Sequence, residues 1–135
     1  MRDDKMDELT SLNVLIVDDE PVNAILMKRF LKELGVVPDI ATNAHDAMEF
    51  VKKRGEYLVL MDYMLPGTSG IELAHELLAI SPNLKIAVHS AMENNLITES
   101  IDKGLFIGYV TKPFKRDKFH KEITRLFNRI KSLMR

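Results

Sequence analysis

The amino-acid sequence predicts an α/β fold in which helices cover both faces of a parallel sheet. Short apolar runs alternate with longer stretches of helical period along the chain. The first run, 13–17, is apolar after its first residue and rich in β-branched side chains, which is typical of a strand buried on both faces. Strands of this kind need helices on both sides of their sheet. We therefore expect a doubly wound parallel sheet of five strands with five helices.

Each predicted strand is short and mainly apolar. Pro38 places the second strand at an edge of the sheet, because proline has no N–H to donate to a neighbouring strand. The predicted strands are 13–17, 36–41, 57–61, 84–89 and 106–111.

The predicted helices begin and end at residues that favour helix termini. Pro21 suits the first turn of the first helix, Gly35 suits its end, and Asn43 is expected to cap the second helix. The residues expected to form the buried face of the first helix are Val22, Ile25, Leu26, Phe30 and Leu34. The other predicted helices are 44–53, 71–80, 93–103 and a last one with apolar residues at helical spacing from Phe119 to Leu133.

Length and composition limit what the chain can do. Its 135 residues fit one domain, which we place at 12–135 after an N-terminal extension at 1–11. Because there is no cysteine, any metal ligand must be oxygen or imidazole. No apolar run approaches the roughly 20 residues that cross a bilayer, and the acidic start is unlike a signal peptide. We therefore expect a cytoplasmic protein that has no membrane contact.

The last helix is basic, although the 19 Lys and Arg residues of the chain nearly cancel its 20 Asp and Glu residues. We interpret this basic stretch as the solvated face of an amphipathic helix, because no DNA-reading motif accompanies it. Direct binding to nucleic acid is therefore not expected.

Residues with related chemistry follow four of the predicted strands. Open parallel sheets bind ligands beyond the carboxyl ends of their strands, so the residues at these ends are candidates chosen by position alone. They are Asp18, Asp19, Asp62, Ser90 and Lys112. Three carboxylates in one pocket repel each other unless a cation compensates them, and carboxylate oxygens suit Mg²⁺. A hydroxyl and an ammonium group beside them suit the oxygens of a phosphoryl group.

Each of these residues alone has a simpler interpretation. An Asp pair after a strand often caps a helix, a lone serine belongs to a turn, and a lone lysine is usually a surface residue. Four strand ends that deliver an Asp pair, an Asp, a Ser and a Lys-Pro in this order rarely arise by chance. The combination therefore favours a functional site.

Four segments carry a resemblance to a known family. They are 14–21 (VLIVDDEP), 58–66 (LVLMDYMLP) with Gly70, Ser90-Ala91, and 109–114 (YVTKPF). With them the chain resembles the response-regulator receiver family, the fold of the chemotaxis regulator, over 12–133. The resemblance implies a flavodoxin-like sheet with strand order 2-1-3-4-5 and a cis peptide bond before Pro113.

The resemblance also implies a role for each acidic candidate. Asp62 is the expected phosphoacceptor, which attacks the phosphohistidine of a histidine kinase or a histidine phosphotransfer protein. Asp18 and Asp19 are expected to organise Mg²⁺ together with Asp62 and the main-chain carbonyl of Met64. The chain would then be a signalling receiver of a two-component or phosphorelay system rather than an enzyme.

Three further residues receive roles by the same resemblance. Lys112 and Ser90 are expected to hold the phosphoryl oxygens. Movement of Ser90 and an inward swing of Tyr109 would then switch a protein-interaction surface.

Some residues near the site depart from the family pattern or have no assigned role. Leu105–Ile107 is apolar where relatives are small or polar, and it forms either an exposed patch or part of the core. Met64 and Met92 would flank the water that hydrolyses the acyl phosphate, and a thioether cannot orient that water by donating a hydrogen bond. We therefore expect a long-lived phosphorylated form. His89, directly before Ser90, has two interpretations: it tunes the site with pH, or it is an incidental residue at a strand end, which is the commoner case.

Other functions fit the sequence less well. Phosphatases with an aspartyl nucleophile carry a second Asp two residues later, where this chain has Met64. Nucleotide or flavin binding is disfavoured because the loop after the first strand is acidic and lacks glycine. Another interpretation makes the chain a receiver fragment of a larger hybrid kinase or of a DNA-binding regulator. Whether phosphorylation produces a homodimer through the basic last helix is left open.

Overall fold

A computed structural model describes residues 13–55, 57–91 and 95–133. The predicted extension at 1–11, its boundary at residue 12, and Met92 with the predicted helix start at Glu93 lie outside the described residues.

The described strands form one parallel sheet of five strands, as the sequence predicts. Its order is β2-β1-β3-β4-β5, so the implied strand order is confirmed, and β2 next to Pro38 is an edge strand. A separate two-stranded hairpin at Met64–Leu65 and Thr68–Ser69 follows β3. The strands of the main sheet are β1 (Val14–Val17), β2 (Asp39–Ala41), β3 (Leu58–Asp62), β4 (Lys85–Ser90) and β5 (Gly108–Thr111).

Helices connect the strands, and their ends match the local signals in the sequence. Pro21 is the first residue of α1, and Gly35 adopts a φ of 83° just after the helix ends. The Asn43 side chain accepts a hydrogen bond of 2.8 Å from the Asp46 N–H and caps α2. The helices of the described residues are α1 (Pro21–Glu33), α2 (Ala44–Lys53), α3 (Gly70–Ile80), α4 (Asn95–Asp102) and α5 (Arg116–Leu133). None of these helices combines the length and the apolar character needed to cross a membrane.

Two apolar layers lie on opposite faces of the sheet. Successive residues of β1 alternate between them, with Val14 and Ile16 facing α1 and α5, and Leu15 and Val17 facing α2, α3 and α4. This alternation explains why the strands are apolar throughout.

The predicted buried face of α1 is partly wrong. Val22 and Ile25 are 74% and 64% exposed, and the helix instead buries a stripe that includes Ala24, Met27 and Leu31. Apolar residues lie on more than one flank of this helix, so periodicity alone does not identify the flank that packs on the sheet.

The apolar segment before β5 belongs mainly to the core. Phe106 and Ile107 are buried, and the half-buried Leu105 packs against the layer that also contains Phe106. Of the two interpretations left open by the sequence, core packing is the correct one for Phe106 and Ile107.

We expect Phe106→Ala to lower the free energy of unfolding by about 3–5 kcal/mol, because truncating a fully buried aromatic ring leaves a cavity. Urea unfolding followed by circular dichroism measures this loss. Val37→Ala removes an exposed apolar side chain and should change the free energy of unfolding by less than about 0.5 kcal/mol. Equal effects of the two substitutions would contradict the buried position of Phe106.

Candidate functional site

The carboxyl ends of the strands meet at one edge of the sheet and bring the candidate residues together. Asp62 is the last residue of β3 and is paired in register with His89 of β4. Asp18 directly follows β1, whose last residue pairs with Met61 of β3. Lys112 directly follows β5, whose last residue pairs with Ser90.

Asp62 is held in position through both of its carboxylate oxygens. It is only 6% exposed, and its Oδ2 atom lies 3.3 Å from Nζ of Lys112. Its Oδ1 atom accepts a hydrogen bond of 3.2 Å from the main-chain N–H of Met64. The carboxylate therefore has a fixed orientation and a cationic neighbour that is itself partly open to solvent.

The main chain that carries Asp62 is closely packed against the start of α3. Gly70 donates a hydrogen bond of 2.7 Å to the carbonyl of Tyr63. A Cβ atom at Gly70 would lie 3.1 Å from the Asp62 carbonyl oxygen and from the Tyr63 Cα, so a larger residue there would push on the acceptor strand. Glycine at this position keeps the end of β3 in place.

Asp18 is fully buried beside this site. Its Oδ1 atom accepts a hydrogen bond of 2.8 Å from the Glu20 N–H, and its Oδ2 atom lies 2.8 Å from Nε2 of His89. Burial raises the pKa of the Asp18 carboxyl, but these two hydrogen bonds and the electrostatic interactions with His89 and Lys112 outweigh burial and hold that pKa below its ordinary value. Asp18 therefore remains a carboxylate at neutral pH.

His89 is the site residue for which the sequence favoured an incidental position and did not indicate a partner. It is 1% exposed, and its ring makes an edge contact with Phe114 at a centroid distance of 5.6 Å. The signal in the sequence is the strand alternation, because residues 87 and 89 share a face and this face also carries Ile16 and Leu60. A polar ring on a buried strand face needs a partner, and here the partner is Asp18.

The other predicted residues lie around this centre. Asp19 is half-buried directly after Asp18, and the Met64 side chain is 68% exposed while its N–H contacts Asp62. Ser90 is half-buried, and its carbonyl accepts a hydrogen bond of 2.9 Å from the Lys112 N–H.

Tyr109 lies half-buried on β5 and packs against the layer of α2, α3 and α4. The Lys112-Pro113 peptide bond is cis, which confirms the geometry that the resemblance implies for this loop.

The donor atoms of the site suit a divalent cation. Asp18, Asp62 and His89 each offer a ligand atom, and these atoms lie within 4.8 Å of one another. Carboxylate oxygens are the donors that Mg²⁺ prefers, and two buried carboxylates supply the negative charge that such an ion needs. The two carboxylates therefore fit Mg²⁺, whereas an imidazole is not a ligand that Mg²⁺ prefers.

Comparison with known proteins identifies similar sequences. A family model described as the response regulator receiver domain matches residues 14–124. The chemotaxis protein CheY of Thermotoga maritima is 36% identical over 104 residues, which cover 76% of this chain and 86% of that protein. The transcriptional regulatory protein MalR of Bacillus subtilis is 31% identical over 116 residues, which cover 84% of this chain but 49% of that protein. The aerobic respiration control sensor protein ArcB of Escherichia coli is 35% identical over 102 residues, which cover 72% of this chain and only 13% of ArcB.

Solved structures show the same fold. A structure described as adenylate cyclase from Rhodopirellula baltica has a TM-score of 0.80 at 20% identity and is aligned over 91% of this chain and 93% of that one. At this identity the likeness concerns the fold alone. A CheY-like response regulator receiver domain from Methylobacillus flagellatus has a TM-score of 0.72 at 27% identity, over 85% of this chain and 98% of that one.

Proposed function

This chain belongs to the response regulator receiver domain family, and from that premise we propose that it accepts a phosphoryl group on Asp62 and thereby switches a protein-interaction surface. Receivers of this family are modules of two-component and phosphorelay signalling systems. The observation that carries the proposal is the nearly buried Asp62 carboxylate, whose Oδ2 atom lies 3.3 Å from the Lys112 ammonium. A carboxylate fixed in this way is suited to act as a nucleophile toward phosphorus.

The proposed reaction transfers a phosphoryl group from the phosphohistidine of a partner protein. A carboxylate oxygen of Asp62 forms a bond to phosphorus while the bond from phosphorus to the histidine nitrogen breaks, and the imidazole of the partner leaves with its electron pair. The hydrogen bond from Met64 N–H and the contact with Lys112 orient the carboxylate before the attack. Lys112 then neutralises the negative charge of the phosphoryl oxygens.

Mg²⁺ is the metal that we propose for this pocket. Asp18, Asp19, Asp62 and the main-chain carbonyl of Met64 would hold it. When bound, it supplies positive charge to the phosphoryl oxygens.

The proposed switch uses the strand ends next to Lys112. The hydrogen bond from the Lys112 N–H to the Ser90 carbonyl keeps these two residues next to each other. The Ser90 hydroxyl would move toward the phosphoryl oxygens, and Tyr109 would then move inward behind Ser90. The Thr111 N–H also donates a hydrogen bond of 3.2 Å to Oε2 of Glu122. This contact ties α5 to the residue before Lys112 and offers a route from the site to the helix surface.

The donor would be a histidine kinase or a histidine phosphotransfer protein, and the protein would act in the cytoplasm without binding nucleic acid directly. The extensive coverage of CheY supports a receiver that works by itself, whereas the small share of ArcB that is matched supports a receiver within a hybrid sensor kinase. The match to about half of MalR supports a third arrangement, in which the receiver precedes another domain. A phosphorylation-dependent homodimer stays a prediction.

Incubation with Mg²⁺ and acetyl phosphate should add the mass of one phosphoryl group to the wild-type protein and none to Asp62→Asn. The amide cannot form the acyl phosphate, so intact-mass spectrometry distinguishes the two proteins. Asp102→Asn changes an exposed aspartate at the end of α4 and should be modified like the wild type. Modification of Asp62→Asn to the same extent would overturn the proposal.

Lys112→Met should bind Mg²⁺ about tenfold more tightly than the wild type, a gain of ~1.4 kcal/mol, and should accept the phosphoryl group more slowly. The ammonium competes with the metal for Asp62, but it also stabilises the transferred group. Calorimetric titration and the rate of mass change measure the two effects. Lys115→Met alters an exposed lysine of the same loop and should change neither. A loss of Mg²⁺ affinity in Lys112→Met would contradict the competition.

Met64→Asn should shorten the lifetime of the phosphorylated form several-fold, because an amide can orient the hydrolysing water and a thioether cannot. The exposed Met64 side chain leaves room for that water. The rate of loss of label after removal of acetyl phosphate measures the lifetime. Val37→Asn introduces the same polar group at another exposed position and serves as the control. An unchanged lifetime would assign Met64 to loop packing alone.

A further inference from the structure

His89 has no role in the phosphoryl transfer described above, although its side chain contacts Asp18, one of the proposed Mg²⁺ ligands. The two side chains are 1% and 0% exposed, and the Nε2 atom of His89 lies 2.8 Å from Oδ2 of Asp18, within hydrogen-bond distance. Because a carboxylate can only accept a hydrogen bond, Nε2 of His89 carries the donated hydrogen. Burying a polar imidazole costs free energy that an apolar side chain at this strand position would not cost. The presence of histidine here therefore needs a specific explanation.

The contact joins strands that are not neighbours. In the sheet β3 lies between β1 and β4, and Asp62 of β3 pairs in register with His89. The imidazole therefore reaches past the proposed acceptor to Asp18, which follows β1. One of its ring nitrogens lies within 4.8 Å of a carboxylate oxygen of both Asp18 and Asp62.

Among the described residues, the hydrogen bond to Asp18 is the one polar contact of the His89 side chain. Its Nδ1 atom is buried and has no hydrogen-bond partner in this part of the chain. The ring is packed at its edge against Phe114, which in turn packs against Phe119. The orientation of the imidazole is thus determined by packing and by Asp18, and Nδ1 contributes nothing to it.

Asp18 is correspondingly fixed at both of its oxygens. The Glu20 N–H holds Oδ1 and His89 holds Oδ2, each at 2.8 Å. Each carboxylate oxygen has two acceptor sites, so both keep one for a cation or its water shell. Without the donor on Oδ2, the Asp18 carboxylate would be free to turn out of this orientation.

We propose that His89 is a positioning residue of the metal site, which holds the Asp18 carboxylate in the orientation that a divalent cation requires. The inference rests on the proposed Mg²⁺ site and extends it by a residue that the receiver resemblance does not include. Groups that hydrogen-bond to a metal ligand typically change metal affinity by about 10–100-fold when they are removed. Removal of the His89 donor should therefore weaken Mg²⁺ binding by this factor.

Two amide substitutions at position 89 distinguish the role of Nε2 from that of Nδ1. The amide nitrogen of Gln at position 89 reaches about as far along the side chain as Nε2 and can donate to Asp18. The amide nitrogen of the shorter Asn corresponds to Nδ1 and cannot reach it. His89→Gln should therefore retain most of the Mg²⁺ affinity, whereas His89→Asn and His89→Val should lose it about 10–100-fold.

The test is a calorimetric titration of the unphosphorylated full chain with Mg²⁺ alone, beside urea unfolding of each variant. Val88→Ala is the matched control, because it truncates the neighbouring β4 residue on the opposite face of the sheet. It should lower stability and leave Mg²⁺ affinity unchanged. Because Gln and Asn are both polar replacements, their comparison remains decisive even where His89→Val fails to fold.

Equal Mg²⁺ affinity in the wild type, His89→Gln and His89→Asn would overturn the positioning role and leave the phosphoacceptor proposal intact. A wild type that binds no Mg²⁺ would overturn the metal assignment itself. A parallel titration with Ni²⁺ tests direct coordination, since imidazole favours this ion. Ni²⁺ binding far tighter than Mg²⁺ that is lost in His89→Gln would make His89 a ligand and would also overturn the inference.

Discussion

The site depends on the compensation of two buried carboxylates, Asp18 and Asp62. At neutral pH the two like charges are unfavourable in a pocket from which water is largely excluded. The structure offsets this cost with one donor for each, Lys112 at Asp62 and His89 at Asp18. Both donors come from other strands, so the compensation exists only when the sheet has formed in the correct order. The acidic pocket therefore depends on the strand order.

Local signals in the sequence were sufficient for most of the fold. The buried strands are continuous apolar runs, and Pro21 and Asn43 mark the starts of α1 and α2, because proline geometry and a capping side chain act within a few residues. The flank that α1 buries could not be read in the same way. Val22 and Ile25 are as apolar as the residues that pack, and only the sheet beneath the helix determines which flank is covered.

Most residues of the candidate site could also be predicted, because of the topology of the sheet rather than local signals. Residues that follow parallel strands must meet at one edge, which brings Asp62 and Lys112 together without knowledge of the register. The hydrogen bond between His89 and Asp18 cannot be predicted from strand ends in this way. It depends on which strand lies between β1 and β4 and on which sheet face residue 89 occupies, and both are properties of the assembled sheet. A single histidine in an apolar strand carries too little information to predict such a pair.

The two donors, Lys112 and His89, differ in mobility, so the two sides of the pocket differ in how easily they can rearrange. Lys112 is 22% exposed and has a flexible side chain, so its ammonium would be able to leave Asp62 Oδ2 and contact the phosphoryl oxygens of the proposed acyl phosphate. His89 is packed against Phe114 and has no such freedom. If Asp62 is phosphorylated as proposed, we expect the side of the pocket that Lys112 and Ser90 form to rearrange, while the side around Asp18 keeps its geometry. A pocket built in this way would hold the proposed cation before and after the proposed phosphorylation, and the proposed conformational change would be confined to β5 and the elements attached to it.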